Sequence, residues 1–62
     1  MQPNQFVVVN NRGVWQAAYD KNLSAANQPT AFEQARITAK HPKVRGRVID
    51  SDSERVVFDD AA

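Results

Sequence analysis

The segment Pro29 to Pro42, with the sequence PTAFEQARITAKHP, is the one stretch of the chain that has the pattern of an amphipathic helix. Thr30 followed three residues later by Glu33 forms a capping box, in which the threonine hydroxyl accepts from the Glu33 amide and the carboxylate reaches back to the Thr30 amide. Pro42 removes a backbone donor and moves the residue before it away from helical angles. We therefore predict a three-turn helix between the two prolines.

The apolar side of this helix is narrow. Phe32, Ala35 and Ala39 recur at positions i, i+3 and i+7, with Ala31 and Ile37 on the flanks. Small side chains permit close packing, and a helix this short is marginal alone, so we expect it to be docked on a sheet. The polar residues expected to face water are Glu33, Gln34, Arg36 and Lys40.

Two β-hairpins are predicted, one on each side of the helix. The first pairs residues 6–9 with residues 14–19 across an Asn-Asn-Arg-Gly turn. The second pairs residues 44–50 with residues 55–59 across the turn at 51–54. Because side chains alternate along a strand, we expect Trp15 and Ala17 to face the helix. In the second hairpin we expect Val44, Val48, Val56 and Phe58 to point inward and Arg45, Arg47, Arg55 and Asp59 to point outward.

The predicted fold class is α+β: a four-stranded antiparallel sheet, made of two hairpins, with one helix packed on one face, in the order ββαββ. Residues 1–62 are expected to form a single small domain with frayed ends at 1–5 and 60–62. The linker 20–28 has no clear periodicity, and we expect its one large apolar residue, Leu23, to anchor it to the core.

This layout resembles a group of small bacterial and phage ββαββ domains of unknown function. The resembling pieces are Val7 to Val9, Gly13 with Trp15, and Thr30 with the helix alanines Ala31, Ala35 and Ala39. The chain departs from the group at Pro42, where such domains often have a Gly-containing loop. Since the group has no assigned activity, the resemblance supports the fold and adds no function.

Composition restricts the class of protein. The chain has 62 residues, no cysteine and a formal net charge of +1, which argues against a disulfide-stapled domain and against simple coating of a polyanion. It has neither an apolar run long enough to span a membrane nor the pattern of a signal peptide. These features predict a cytoplasmic protein.

Apolar residues occur on both faces of the predicted strands, yet one short helix covers only one face. We expect Val7, Val9, Ile49 and Val57 to form a protein interface on the other face, because small proteins seldom leave an apolar sheet face in water. A homodimer, or an obligate partner, would solve this burial problem. The alternative is that these are scattered surface valines favoured for their strand propensity.

A basic cluster gives a second hypothesis. Lys40 and His41 are followed by Lys43, Arg45 and Arg47, and an arginine pair on one strand face could contact phosphates. Binding of nucleic acid through Lys43, Arg45 and Arg47 is therefore the alternative function. Against it, we expect the acidic residues of the second hairpin to pair with these cations, and Trp15 and Tyr19 to lie in the core rather than stack on bases. Those acidic residues are Asp50, Asp52, Glu54, Asp59 and Asp60.

The residue pattern gives little support to catalysis or to metal binding. His41 is the sole histidine and has no identifiable nucleophile beside it. Residues 50–54 open like a calcium loop, but Arg55 stands where that loop needs glycine and Ala61 where it needs glutamate. We therefore expect no enzymatic activity, no metal and no cofactor. The predicted function is a small non-enzymatic, homodimeric protein-binding module, and an inhibitor of a larger host protein, of phage or mobile-element origin, would fit its size.

Overall fold

A computed structural model describes residues 2–22 and 30–61 of the chain. Leu23 and most of the linker lie outside the described residues. The helix packs on β1, β2 and β3 of one antiparallel sheet whose strand order is β2-β1-β3-β4, which confirms the predicted ββαββ fold. The elements are β1 (Gln5–Val9), β2 (Trp15–Asp20), α1 (Ala31–Lys40), β3 (Arg47–Asp50) and β4 (Arg55–Asp59).

The two predicted hairpins lie side by side in this sheet. β1 pairs antiparallel with β3, from Phe6 opposite Asp50 to Val9 opposite Arg47. β1 and β3 are therefore the central strands, and β2 and β4 form the two edges.

The helix begins and ends where its capping residues predict. Thr30 is the N-cap, and its hydroxyl accepts from the Glu33 amide at 3.3 Å. The Glu33 carboxylate accepts instead from Arg36 Nη2 at 3.1 Å, so only the first half of the capping box forms. At the other end His41 turns to extended angles before Pro42, and its amide donates to Thr38 O. No helix in residues 2–22 and 30–61 is long and apolar enough to cross a membrane.

The core lies between the helix and the sheet. Val8 and Val48 from the central strands and Ala35 and Ala39 from the helix have no exposed surface. The alanines allow the helix backbone to approach the two valines closely. Larger side chains surround this centre, and the Tyr19 hydroxyl shares a 2.7 Å hydrogen bond with Thr38 Oγ1. These surrounding residues are Phe6, Tyr19, Phe32, Val44 and Phe58.

Both edge strands contain a β-bulge that changes which side chains face the helix. Val8 lies opposite Ala17 but Val9 lies opposite Trp15, so Gln16 is an extra residue in β2. An extra residue shifts the alternation by one position. The expectation that Trp15 faces the helix is therefore wrong: Trp15 is 62% exposed and lies on the other face.

The second bulge reverses another expectation. Val48 lies opposite Phe58 but Ile49 lies opposite Val56, so Val57 is the extra residue in β4. The expectation that Val56 points inward is wrong for the same reason, since Val56 is 51% exposed and pairs with a residue on the face away from the helix.

The second hairpin also begins later than predicted. The amides of Val44 and Arg45 donate to His41 O in a turn, and Arg45 has a positive φ of 43°. Gly46 then crosses against β1: its amide donates to Ala39 O, and a Cβ added to it would lie 1.7 Å from Val9 O. The strand therefore starts at residue 47, and the expectation that Arg45 and Arg47 share one strand face is wrong.

Candidate interaction face

The sheet face opposite the helix is here called the open face. The register places an apolar row across all four strands, a mixed row on one side of it, and Gln5 opposite Asp20 on its other side. The apolar row consists of Ala18, Val7, Ile49 and Val56. The mixed row consists of Trp15, Val9, Arg47 and Asp59.

Burial on the open face is uneven. Val7 is only 4% exposed, whereas Trp15 is 62% exposed and Val56 is 51% exposed. Val7 contributes to a groove of about 560 Å³ on the β1–β2 half of the face. The groove is lined by Gln2, Gln5, Val7, Val9, Gly13, Trp15 and Ala18.

The register brings three of the four predicted interface residues together. Val7, Val9 and Ile49 lie on the open face, and Val57 is the bulge residue of β4, with 42% of its surface exposed. Sequence reasoning missed Trp15 and Val56. Strict alternation put both on the helix side, and no local sequence signal marks either bulge.

One ion pair lies within the mixed row. Arg47 Nε donates to Asp59 Oδ2 at 3.2 Å across β3 and β4. The Ala61 amide, and after it the Arg47 guanidinium, hold the pKa of Asp59 below its ordinary value of 3.8. The pair carries no net charge, but packing of another surface over it would still require desolvation of both charged groups.

The edges of the sheet are poorly suited to further strand pairing. Each edge strand contains a bulge, at Gln16 in β2 and at Val57 in β4. Bulges interrupt the regular row of backbone donors and acceptors that an added strand needs, and natural proteins use them to protect sheet edges. The geometry therefore favours association through the face of the sheet over association through its edge.

Charged side chains are segregated between the two ends of the strands. The end that contains Val9, here called the basic end, also holds the last turn of the helix, because Gly46 bonds to Ala39 O there. Its charged residues are Arg12, Lys40, Lys43, Arg45 and Arg47, with Asp59 and Asp60. The end that contains Gln5, here called the acidic end, holds Asp20, Asp50, Asp52 and Glu54, with Lys21 and Arg55.

A cluster of hydrogen-bonded charged side chains lies at the acidic end. Lys21 Nζ donates to Asp50 Oδ1 at 2.6 Å and to Asp52 Oδ2 at 2.8 Å, and it lies 5.0 Å from the centroid of the Phe6 ring. Asp52 Oδ1 also accepts from the Asn4 amide at 3.0 Å. The Lys21 hydrogen bonds lower the pKa of both carboxyls and raise that of the lysine. These contacts join three segments of the chain, so the cluster has a structural role.

The residues of the alternative, nucleic-acid hypothesis are only partly grouped. Lys43 and Arg45 are exposed on the turn that follows the helix, while Arg47 lies in β3 and is paired with Asp59. Asp50 and Asp52 bond to Lys21 rather than to the basic cluster. Within the described part of the chain, no group of three or more His, Asp or Glu side chains is placed to hold a metal ion.

The chain matches no family model, and no curated protein and no solved structure is similar to it at a significant level.

Proposed function

We propose that this protein is a small non-enzymatic binding module that self-associates through its open face. The observation that supports this most is Trp15, an indole 62% exposed beside an apolar row that crosses all four strands. Burial of a large aromatic side chain is among the strongest contributions to association. A second copy of the chain would remove both this indole and the apolar row from water.

The size of the chain and the form of its sheet both favour a second copy as the occupant. Specific dimers bury about 800 Å² on each partner. Since the chain exposes 4280 Å², such an interface would cover roughly a fifth of its surface. The bulges at both edges disfavour edge-to-edge association, which leaves sheet-on-sheet packing as the favoured arrangement.

The test is the solution mass across a concentration series, measured by light scattering at low and high salt. We expect the mass to rise to twice 6.9 kDa with little salt dependence. Trp15 is the sole tryptophan, so its emission should shift to the blue over the same concentration range. A mass that stays monomeric at millimolar concentration would contradict the proposal.

A matched pair of variants separates the open face from the rest of the surface. Val56→Lys places a charge on the open face and should weaken the dimer at least about tenfold, since a charge buried without a partner costs more than 1.4 kcal/mol. Ile37→Lys is the control, because Ile37 on the helix is 56% exposed and Val56 is 51% exposed. Equal loss of the dimer in both variants would show that the open face is not the interface.

One observation favours binding of nucleic acid as a second candidate function. Lys43 and Arg45 are exposed at the basic end, and among the described residues neither has a carboxylate oxygen within 4.0 Å. Binding of a single-stranded oligonucleotide would fall steeply with salt and would be lost in the double variant Lys43→Ala, Arg45→Ala. Arg47→Ala should have the smaller effect, because Asp59 already neutralises Arg47. If the mass does not change with salt and no oligonucleotide binds, nucleic-acid binding is excluded as the function.

A further inference from the structure

The charge asymmetry of the chain restricts how two open faces can meet. All charged side chains lie in the described residues, and those of the basic end and the acidic end have opposite net sign. Glu33 and Arg36, the remaining two charged residues, form a pair on the helix. The net charge of +1 is therefore the sum of a positive charge at one end of the strands and a smaller negative charge at the other.

Two arrangements satisfy twofold symmetry for aligned sheet-on-sheet packing. If the axis runs along the strands, the two basic ends lie together and the two acidic ends lie together. If the axis runs along the apolar row, across the strands, each basic end lies over the acidic end of the partner. Like charges brought together oppose association, whereas opposite charges favour it. Lys21 and Asp50 lie on the Phe6 side of the sheet, so this effect acts at a distance from the open face and biases the orientation more than the strength of the dimer.

We infer that two copies stack with the axis along the apolar row, so that Trp15 of each copy enters the partner's groove at its Gln5 end. This inference rests on the proposed self-association. Val7 lies in the apolar row, midway along β1 between Gln5 and Val9. Rotation about that row places the Val9 end of each β1 strand over the Gln5 end of the partner's β1 strand. Trp15, which pairs with Val9, therefore lies over the partner's Gln5 end.

The groove is self-complementary in this arrangement. One end is formed by Trp15, Val9 and Gly13, and the lining continues to the amide side chains of Gln5 and Gln2. A buried indole N–H needs an acceptor, and a glutamine side-chain carbonyl supplies one. In the stacked pair each indole lies over the partner's groove at the level where Gln5 pairs with Asp20, and either of these side chains offers an acceptor to the indole N–H. With the axis along the strands, β2 lies over β4 of the partner and this match is lost.

The distance between hairpin turns distinguishes the two arrangements. The chain has no cysteine, so Asn11→Cys in the turn between β1 and β2 gives a single attachment site for a nitroxide. From the strand rise and the spacing of packed sheets, the two labels should be about 30 Å apart or more in the inferred stack, and below about 20 Å with the axis along the strands. Ser53→Cys, in the turn at the acidic end, should give a similarly long distance and provides an independent second site.

Pulsed dipolar spectroscopy on each labelled protein, with its mass measured in the same sample, decides the matter. Long distances at both sites in a dimer support the inference. Short distances at both sites in a dimer overturn it and leave the proposed self-association standing. A monomeric mass for the unlabelled and labelled chains alike, with no dipolar coupling, overturns the proposed function and the inference together.

Discussion

The two faces of the sheet have similar strand residues, and their environments differ more at the edge strands than at the centre, where Val7 on the open face is only 4% exposed. On the helix side, Val8 and Val48 have no exposed surface because Ala35 and Ala39 press directly on them. On the open face, Ile49 and Val56 occupy neighbouring positions of the same hairpin, yet Val56 is half exposed. The difference comes from the layer above the sheet, since β-branched residues suit either face of a strand.

In the described residues, one helix supplies the layer that packs on this sheet. The helix has one narrow apolar stripe and can complete only one core. On the other face, Trp15 and Val56 keep more than half of their surface exposed.

The largest effect is expected at Gly46, where the chain passes from the helix to the sheet. In Gly46→Ala the new Cβ would lie 1.7 Å from Val9 O and 3.0 Å from Asn10 Cα, so the backbone must move. We expect the free energy of unfolding, measured in urea, to fall by more than about 3 kcal/mol, which would unfold much of a domain this small.

Gly13→Ala is the control for this prediction. Gly13 has a φ of 79° and open space around its Cα, so only backbone strain opposes the added methyl group. The expected loss is about 1 kcal/mol. Similar losses in the two variants would mean that the close approach at Gly46 is not a determinant of the fold.

The second prediction compares the two faces directly. Val48→Thr places a hydroxyl at a fully buried position on the helix side and should cost about 1–3 kcal/mol of unfolding free energy. Val56→Thr makes the same change on the open face and should change the stability of the monomer by less than about 0.5 kcal/mol. Denaturation at a concentration at which light scattering gives the monomer mass yields the monomer values. An equal loss at both sites would remove the distinction between the faces.

The smallest effect concerns the Lys21 cluster beside Phe6, at the margin of the covered face. The pKa values of Asp50 and Asp52 lie below the ordinary 3.8 because Lys21 hydrogen-bonds to both. Their contribution to stability is therefore complete above pH 3.8 and is lost as the pH falls through the lowered values. The raised pKa of Lys21 contributes stability below 10.5 that is lost as the pH rises through the raised value.

Lys21→Met tests this pH dependence. Between about pH 5 and pH 2 the wild-type protein should lose more stability than the variant, as measured by urea midpoints across that range. Lys40→Met is the charge-matched control, because Lys40 is exposed on the last turn of the helix and should leave the wild-type acid profile in place. An identical acid profile for wild type and Lys21→Met would show that the cluster does not stabilise the fold.

The local elements of this protein were predictable because short-range chemistry specifies them. The Thr30 cap and Pro42 set the ends of the helix, and the turn residues at 10–13 and 51–54 set the two hairpins. β4 has the predicted bounds, and β1 and β2 differ from the prediction by one residue at their ends. Three of the four predicted interface residues share the open face, because strict alternation holds in the unbulged strands β1 and β3.

Short-range patterns in the sequence specify the helix and the two hairpins, and they predict apolar residues on both faces of the sheet. The strand order, the bulges at Gln16 and Val57, and the close contact of Gly46 with Val9 depend instead on packing between elements that are distant in the chain. The reason is that a bulge forms where packing of a strand against its neighbour and the helix is better with one extra residue, and no residue pattern within the strand records that balance. For this reason alternation placed Trp15 in the core, and the folded chain places it on the open face.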